Sequence, residues 1–140
     1  MVRARDSFLY FVQSSLPSGV PIHCLRRDPN NRAADALAMD AVNVSFLNLM
    51  VGNGTVLCSQ QAVVDVIADD ENTCVDWVGN LLDALRATFF IPLSDYTNPA
   101  MPVPTGTNLF WDRHRVTFRK VAAEGYCHYS ALFSLKFTSA

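Results

Sequence analysis

The residues best suited to chemistry stand together at Asp112-Arg113-His114-Arg115, where a carboxylate, an imidazole and two guanidinium groups follow one another. Catalysis by such groups needs a base held at hydrogen-bond distance from a nucleophile or substrate proton. In an extended strand, neighbouring side chains point to opposite faces. The stretch therefore reads as a charged strand edge, with Arg113, Arg115 and Arg119 solvated or paired across an interface. The same alternation separates His23 from Cys24 and Cys127 from His128. The cysteines Cys24, Cys58, Cys74 and Cys127 are scattered among apolar runs without Cys-x-x-Cys or Cys/His zinc spacing. They read as free, buried thiols behaving as small hydrophobes.

Asp69-Asp70-Glu71 has the look of a carboxylate cluster for a metal, but it directly precedes a helical pattern, where negative charge complements the helix dipole. Gly52-Asn53-Gly54 lies in a hairpin signal and not before a helix, so it is no phosphate loop. Arg26, Arg27 and Arg32 are interspersed with Asp28 and Asp35, as in a solvated loop. These readings assign no catalytic, cofactor-binding or metal-binding residue.

The elements that position these groups follow from periodicity. Residues 3–15 read as a helix with Phe8, Leu9, Val12 and Leu16 on one stripe, ended by Pro17 and Gly19. A short strand over 20–25 places Val20, Ile22 and Cys24 on one face, and a polar loop occupies 26–34. From Ala41 the pattern alternates, with Val42, Val44 and Phe46 opposite Asn43 and Ser45. The returning strand, 55–68, carries an interruption at Gln60-Gln61 that suggests a bulge. The principal helix is expected over 72–89, with Val75, Val78, Leu82, Leu85 and Phe89 as its buried stripe. Two strands close the chain, over 109–121 and 126–138; in the last, Cys127, Tyr129, Ala131, Phe133, Leu135 and Phe137 share the apolar face.

Between the principal helix and these strands, 91–107 contains Pro92, Pro99, Pro102, Pro104 and Gly106. Proline cannot donate to a strand ladder, so the segment reads as an extended proline-rich arm or loop. It brings Tyr96, Met101 and Val103, and beyond them Phe110 and Trp111, to positions where exposure is expected. Together with Arg113 and Arg115, these are the candidate protein-interface residues. The expected fold is thus a single α+β domain over 1–140, in the order α-β-β-β-α-arm-β-β. Its one largely antiparallel sheet carries both helices on one face.

Composition agrees with one packed domain: 140 residues, 50% hydrophobic, net charge −2 and pI near 5.8. No global basic field points to sequence-specific nucleic-acid binding. The first ten residues lack the apolar run of a signal peptide, and no segment approaches a membrane span, so a cytosolic site of folding is expected.

The helix, strand, hairpin, helix and closing strands, with Pro92-Leu93-Ser94-Asp95-Tyr96 after the second helix, resemble the tail-terminator (minor tail, tail-completion) proteins of siphophages and related myophages. The likeness covers most of the chain. It implies a structural virion protein without catalytic residues, at the tail–neck junction and assembled in the host cytoplasm. Its partners would be itself in a six-membered ring, the major tail tube protein and a head-completion or stopper protein. DNA would pass through the ring without sequence-specific binding. Besides an intracellular binding module with no phage connection, two other readings stand beside this one. One is another neck component, a head–tail stopper or adaptor. The other is a small α+β enzyme or ligand-binding domain, in which His114 or His128 with Asp112 would line a pocket.

Overall fold

The computed structural model describes residues 2–25, 36–51, 57–88, 90–111 and 115–138. The Gly52–Gly54 turn, Thr55 and Val56, the 26–34 loop with its three arginines, Phe89, and Asp112, Arg113 and His114 lie outside the described residues.

The first element, α1 (Val2–Ser15), buries Ala4, Phe8, Phe11, Val12 and Leu16 and is followed by a turn in which Gly19 takes a φ of +92°. Three strands follow: β1 (Ile22–Leu25), β2 (Ala41–Val51) and β3 (Leu57–Ala68). The second helix, α2 (Glu71–Ala87), starts at Asp70, whose carboxylate accepts from Asn72 N at 3.4 Å and from Thr73 Oγ1 at 3.2 Å. Of the acidic run, Asp70 thus caps the helix, in the manner that orphan N–H groups at a helix start require. The remaining strands are β4 (Phe90–Asp95), β5 (Val103–Trp111), β6 (Arg119–Val121) and β7 (Cys127–Thr138).

The seven strands form one curled sheet in the order β1-β2-β3-β7-β5-β4, with β6 beside the start of β7. The sheet is mixed: β1 runs parallel to β2, and the other pairings are antiparallel. The expected α+β architecture with two helices is present, and three features differ from expectation. First, the proline-rich segment is a β-hairpin, β4–β5, and not an arm. Pro92 lies on the edge strand β4. Pro104 lies in a part of β5 whose ladder runs to β4, because β5 meets β7 only at Phe110 and Trp111. Neither proline interrupts a ladder on both sides. Second, the strand expected over 109–121 is divided between β5 and β6. Third, the register shift lies in β2 between Leu47 and Met50, opposite Gln60 and not within β3. There the Gln60 side chain turns inward and donates from Nε2 to the Leu47 carbonyl at 2.6 Å, which occupies the irregularity from the core side.

The inner face is apolar. Val42, Val44 and Phe46 of β2, Ala62, Val64 and Val66 of β3, and Ala131, Phe133 and Leu135 of β7 join both helices in one core. At its centre Phe8 is fully buried, with ring centroids 5.0 Å from Phe133, 6.2 Å from Phe46 and 6.4 Å from Trp111. The buried stripe of α2 is Cys74, Val78, Leu81 and Leu85, rotated from the expected one so that Val75 faces solvent. The cause is Cys74. Its small thiol lies under the first turn, donating toward the carbonyls of Val66 at 3.4 Å and Cys127 at 3.6 Å, and lets the helix settle close to the β3–β7 seam. Burial first, and then the hydrogen bond and charge of Cys127, push the Cys74 thiol up to about 12, so it stays protonated.

Cys24 departs from the expected burial and is exposed, while Cys58, Cys74 and Cys127 are buried thiols not joined in disulfides. In native protein an excess of an aromatic disulfide reagent is therefore expected to label one thiol per chain quickly and the other three only after unfolding. Loss of the fast phase in Cys24→Ser checks the assignment. A second fast phase in that variant would contradict it.

Candidate functional site

The face of the sheet away from the helices is organised in rows that cross the strands. Register aligns Ala41 with Ile67, His128 and Val121 in one row, and Asn43 with Asp65, Ser130 and Arg119 in the next. Ser45, Val63 and Leu132 form a third row, and Met50, Ser59, Lys136, Phe110 and Phe90 a row near the far end. The two ends of this face differ. At the first, polar groups are buried: Asn43, Ser45 and Asp65 are at most 3% exposed and His128 is 7% exposed. His128 Nε2 lies 2.8 Å from Asp65 Oδ1, and Asn43 exchanges two hydrogen bonds with the backbone of Ala38. Burying such groups is tolerated because each meets a partner. The sequence paired His128 with Asp112 in a hypothetical pocket; the structure pairs it with Asp65, in a closed environment where both groups hold strands together.

At the other end the same face is open. Met50, Phe90, Phe110 and Leu132 are each about half exposed or more, and the rings of Phe90 and Phe110 meet at a tilt of 48° with centroids 5.8 Å apart. Met50, Phe110 and Leu132 line a groove of about 1210 Å³ together with Arg115, Arg119 and Lys136, and Phe90 adjoins it through its contact with Phe110. β6 forms one wall and is tied to the helix side of the sheet by Lys120 Nζ, 3.0 Å from Glu71 Oε1. That ion pair raises the Lys120 ammonium above its ordinary value, mainly through the hydrogen bond to Glu71.

A second exposed apolar feature is the tip of the β4–β5 hairpin, where Met101 is 71% and Val103 62% exposed. The connecting turn is ordered by its own side chains. Asp95 Oδ1 accepts from Thr97 N at 2.9 Å and from Thr97 Oγ1 at 2.6 Å, and Asn98 Oδ1 accepts from Ala100 N at 3.2 Å. These bonds from Thr97, assisted by Arg3, hold the Asp95 carboxyl below its usual range. The hairpin is fastened to α1 by the Arg3–Asp95 ion pair at 3.2 Å, by Ser7 Oγ accepting from Ser94 N at 3.0 Å, and by Tyr10 against Tyr96 with centroids 5.8 Å apart.

The candidate interface residues are thus distributed over two places and the core. Met101 and Val103 stand at the hairpin tip, and Phe110 and Arg115 in the groove. Tyr96 is half-buried against Tyr10. Trp111 turns inward, 6% exposed, with its ring 4.8 Å from that of Phe11. Strand alternation places it opposite Phe110 and packs its ring in the core, while it also lines the floor of the groove. Arg113 lies outside the described residues. Sequence reasoning missed Met50, Phe90 and Leu132. Their shared face becomes visible only once strand order is known, although the parity of Leu132, apolar among the polar positions of the last strand, was a usable signal. Among the described residues, no three His, Cys, Asp or Glu side chains gather as a metal centre would require, and no helix is long and apolar enough to cross a membrane. No protein-family model matches the chain, and no curated protein matches it in sequence.

Proposed function

We propose that this protein is a structural virion subunit, a tail terminator that assembles as a ring on the end of a phage tail tube. In this role it stops tube polymerisation and offers a joining surface to the neck. The observation that carries the reading is the open end of the outer sheet face. A row of large apolar side chains left at about half exposure, rimmed by cations, is what a subunit keeps for contact with protein. The hairpin tip supplies a second apolar contact, directed to the tube end, and the stiff prolines beside it limit the entropy lost on docking. The order of elements, helix–strand–hairpin–helix followed by closing strands, supports the same family. On this reading the partners are further copies of the chain, the major tail tube protein and a head-completion protein, and DNA crosses the ring lumen without being read.

The experiment is complementation of a phage lacking this protein, with tail length and head joining measured by electron microscopy. The intact chain is expected to give tails of one length joined to heads, and Met101→Asp/Val103→Asp to give overlong, unjoined tails despite a folded domain. Tails of normal length without the protein, left unjoined, would instead favour a head–tail stopper or adaptor, which shares the ring-forming surface. Normal joined virions without it would remove the neck assignment altogether.

A further inference from the structure

We infer that the groove on the outer sheet face receives the outward face of α2 from a second copy of this chain, in a head-to-tail contact. The inference rests on the ring reading above and names the two surfaces that would build the ring. The first observation is placement. α2 packs on the inner face of the sheet and the groove opens on the outer face, so the two surfaces point in opposite directions. Patches so arranged cannot pair by a two-fold axis with themselves; they join heterologously and propagate into rings or filaments.

The second observation is complementarity of charge. The groove is rimmed by Arg115, Arg119 and Lys136, whereas the outward face of α2 carries exposed Asp76 and Asp83, of which Asp83 is paired with Arg86 at 3.3 Å and Asp76 keeps the face net acidic. Opposite signs steer encounter and fix register.

The third is shape. Val75 is 47% exposed on α2, and Gly79 follows one turn later on the same stripe. Glycine weakens a helix interior, and a Cβ added at Gly79 would meet nothing within 4 Å. The packing of the single chain thus gives no reason for a glycine there. A neighbour pressed against the helix does, since the missing side chain leaves a notch between Val75 and Asp83. Leu132 and Phe110 are the projecting groups on the other side of the contact, standing on rigid strands.

Two charge-reversed chains test this directly. One carries Arg119→Glu/Lys136→Glu and so has an acidic groove and an acidic helix; the other carries Asp76→Lys/Asp83→Lys and has both surfaces basic. All four positions are exposed, so each chain should fold, which circular dichroism checks. Native mass spectrometry is expected to find wild-type protein in closed rings and each variant alone at least tenfold weaker in association. An equimolar mixture should recover rings with the two chains in equal numbers, because every groove then meets a helix of opposite sign. Gly79→Leu, which fills the notch while favouring the helix, should also weaken association at least tenfold. If the wild type forms rings and the variants do so equally well, the groove–helix contact is overturned while the ring reading stands. A mixture that stops at a 1:1 dimer, or that gives no recovery, also overturns the contact. Wild-type protein that stays monomeric, alone and on tube ends, overturns both.

Discussion

Phe8→Ala is expected to cost about 3–5 kcal/mol of folding stability, the range for removing a fully buried aromatic side chain that leaves a cavity. The ring touches elements from both ends of the chain: Phe46 of β2, Trp111 of β5, Phe133 of β7 and Phe11 of its own helix. Four aromatic neighbours on different elements cannot all move into the vacated space, so the cavity persists and the loss should fall in the upper part of that range. With total stabilities of about 5–15 kcal/mol for domains of this kind, such a loss consumes a third or more of the margin. Urea unfolding followed by circular dichroism measures it, with Tyr10→Ala as the comparison on the same helix, because Tyr10 is 55% exposed. A cost for Phe8→Ala below about 1 kcal/mol would place the ring outside the core. Phe133→Ala should cost a similar amount, and the double variant less than the sum, since the two rings are in contact.

Asp65→Leu should destabilise by about 3 kcal/mol, at the upper end of the cost of stranding a buried polar partner. The partner is His128, whose imidazole at 7% exposure cannot turn to water for a replacement bond. The informative comparison is with Asp65→Leu/His128→Leu, which removes both members and leaves apolar groups in an otherwise buried row. Such double replacements are often close to neutral where single ones are not. The double variant is therefore expected to recover part of the loss. If its cost equals the sum of the costs of Asp65→Leu and His128→Leu measured singly, the two residues are not energetically coupled and the pair does not tie β3 to β7.

How much of this was legible in the sequence depends on which interaction decides each element. Where one face is apolar and the other polar, alternation suffices: β2 and β7 bury the residues their pattern indicates, with Phe133 and Leu135 inside and Lys136 outside. Both helices were legible from three- and four-residue spacing. The face of α2 was not, because Cys74 and Val75 are both apolar and only tertiary contact with the Val66 and Cys127 carbonyls selects between them. The β4–β5 hairpin was hidden by its prolines. A proline forbids a central strand but not an edge, and which strand lies at an edge is a property of topology. Parallel pairing of β1 with β2 leaves no local signature in four residues. Of the candidate site, the sequence identified Phe110 and Arg115 but could not place Met50 or Phe90 beside them, since they come from strands far apart in the chain.

The fastening of α1 to the hairpin has a consequence for biosynthesis. Arg3 meets Asp95, Ser7 meets Ser94, and Phe8 needs Trp111 and Phe133, so α1, which is synthesised well before β4, β5 and β7, is among the last elements to find its place. Contacts spanning most of the chain make for slow folding, because the entropy of closing so long a loop precedes any gain. Until β5 and β7 are synthesised, the apolar stripe of α1 can only rest on an unfinished sheet. A nascent chain stalled before residue 111 therefore presents Phe8 and Phe11 to solvent, where chaperones bind and where aggregation starts. Completion of the last strand converts that stripe from the stickiest part of the emerging polypeptide into the centre of the folded one.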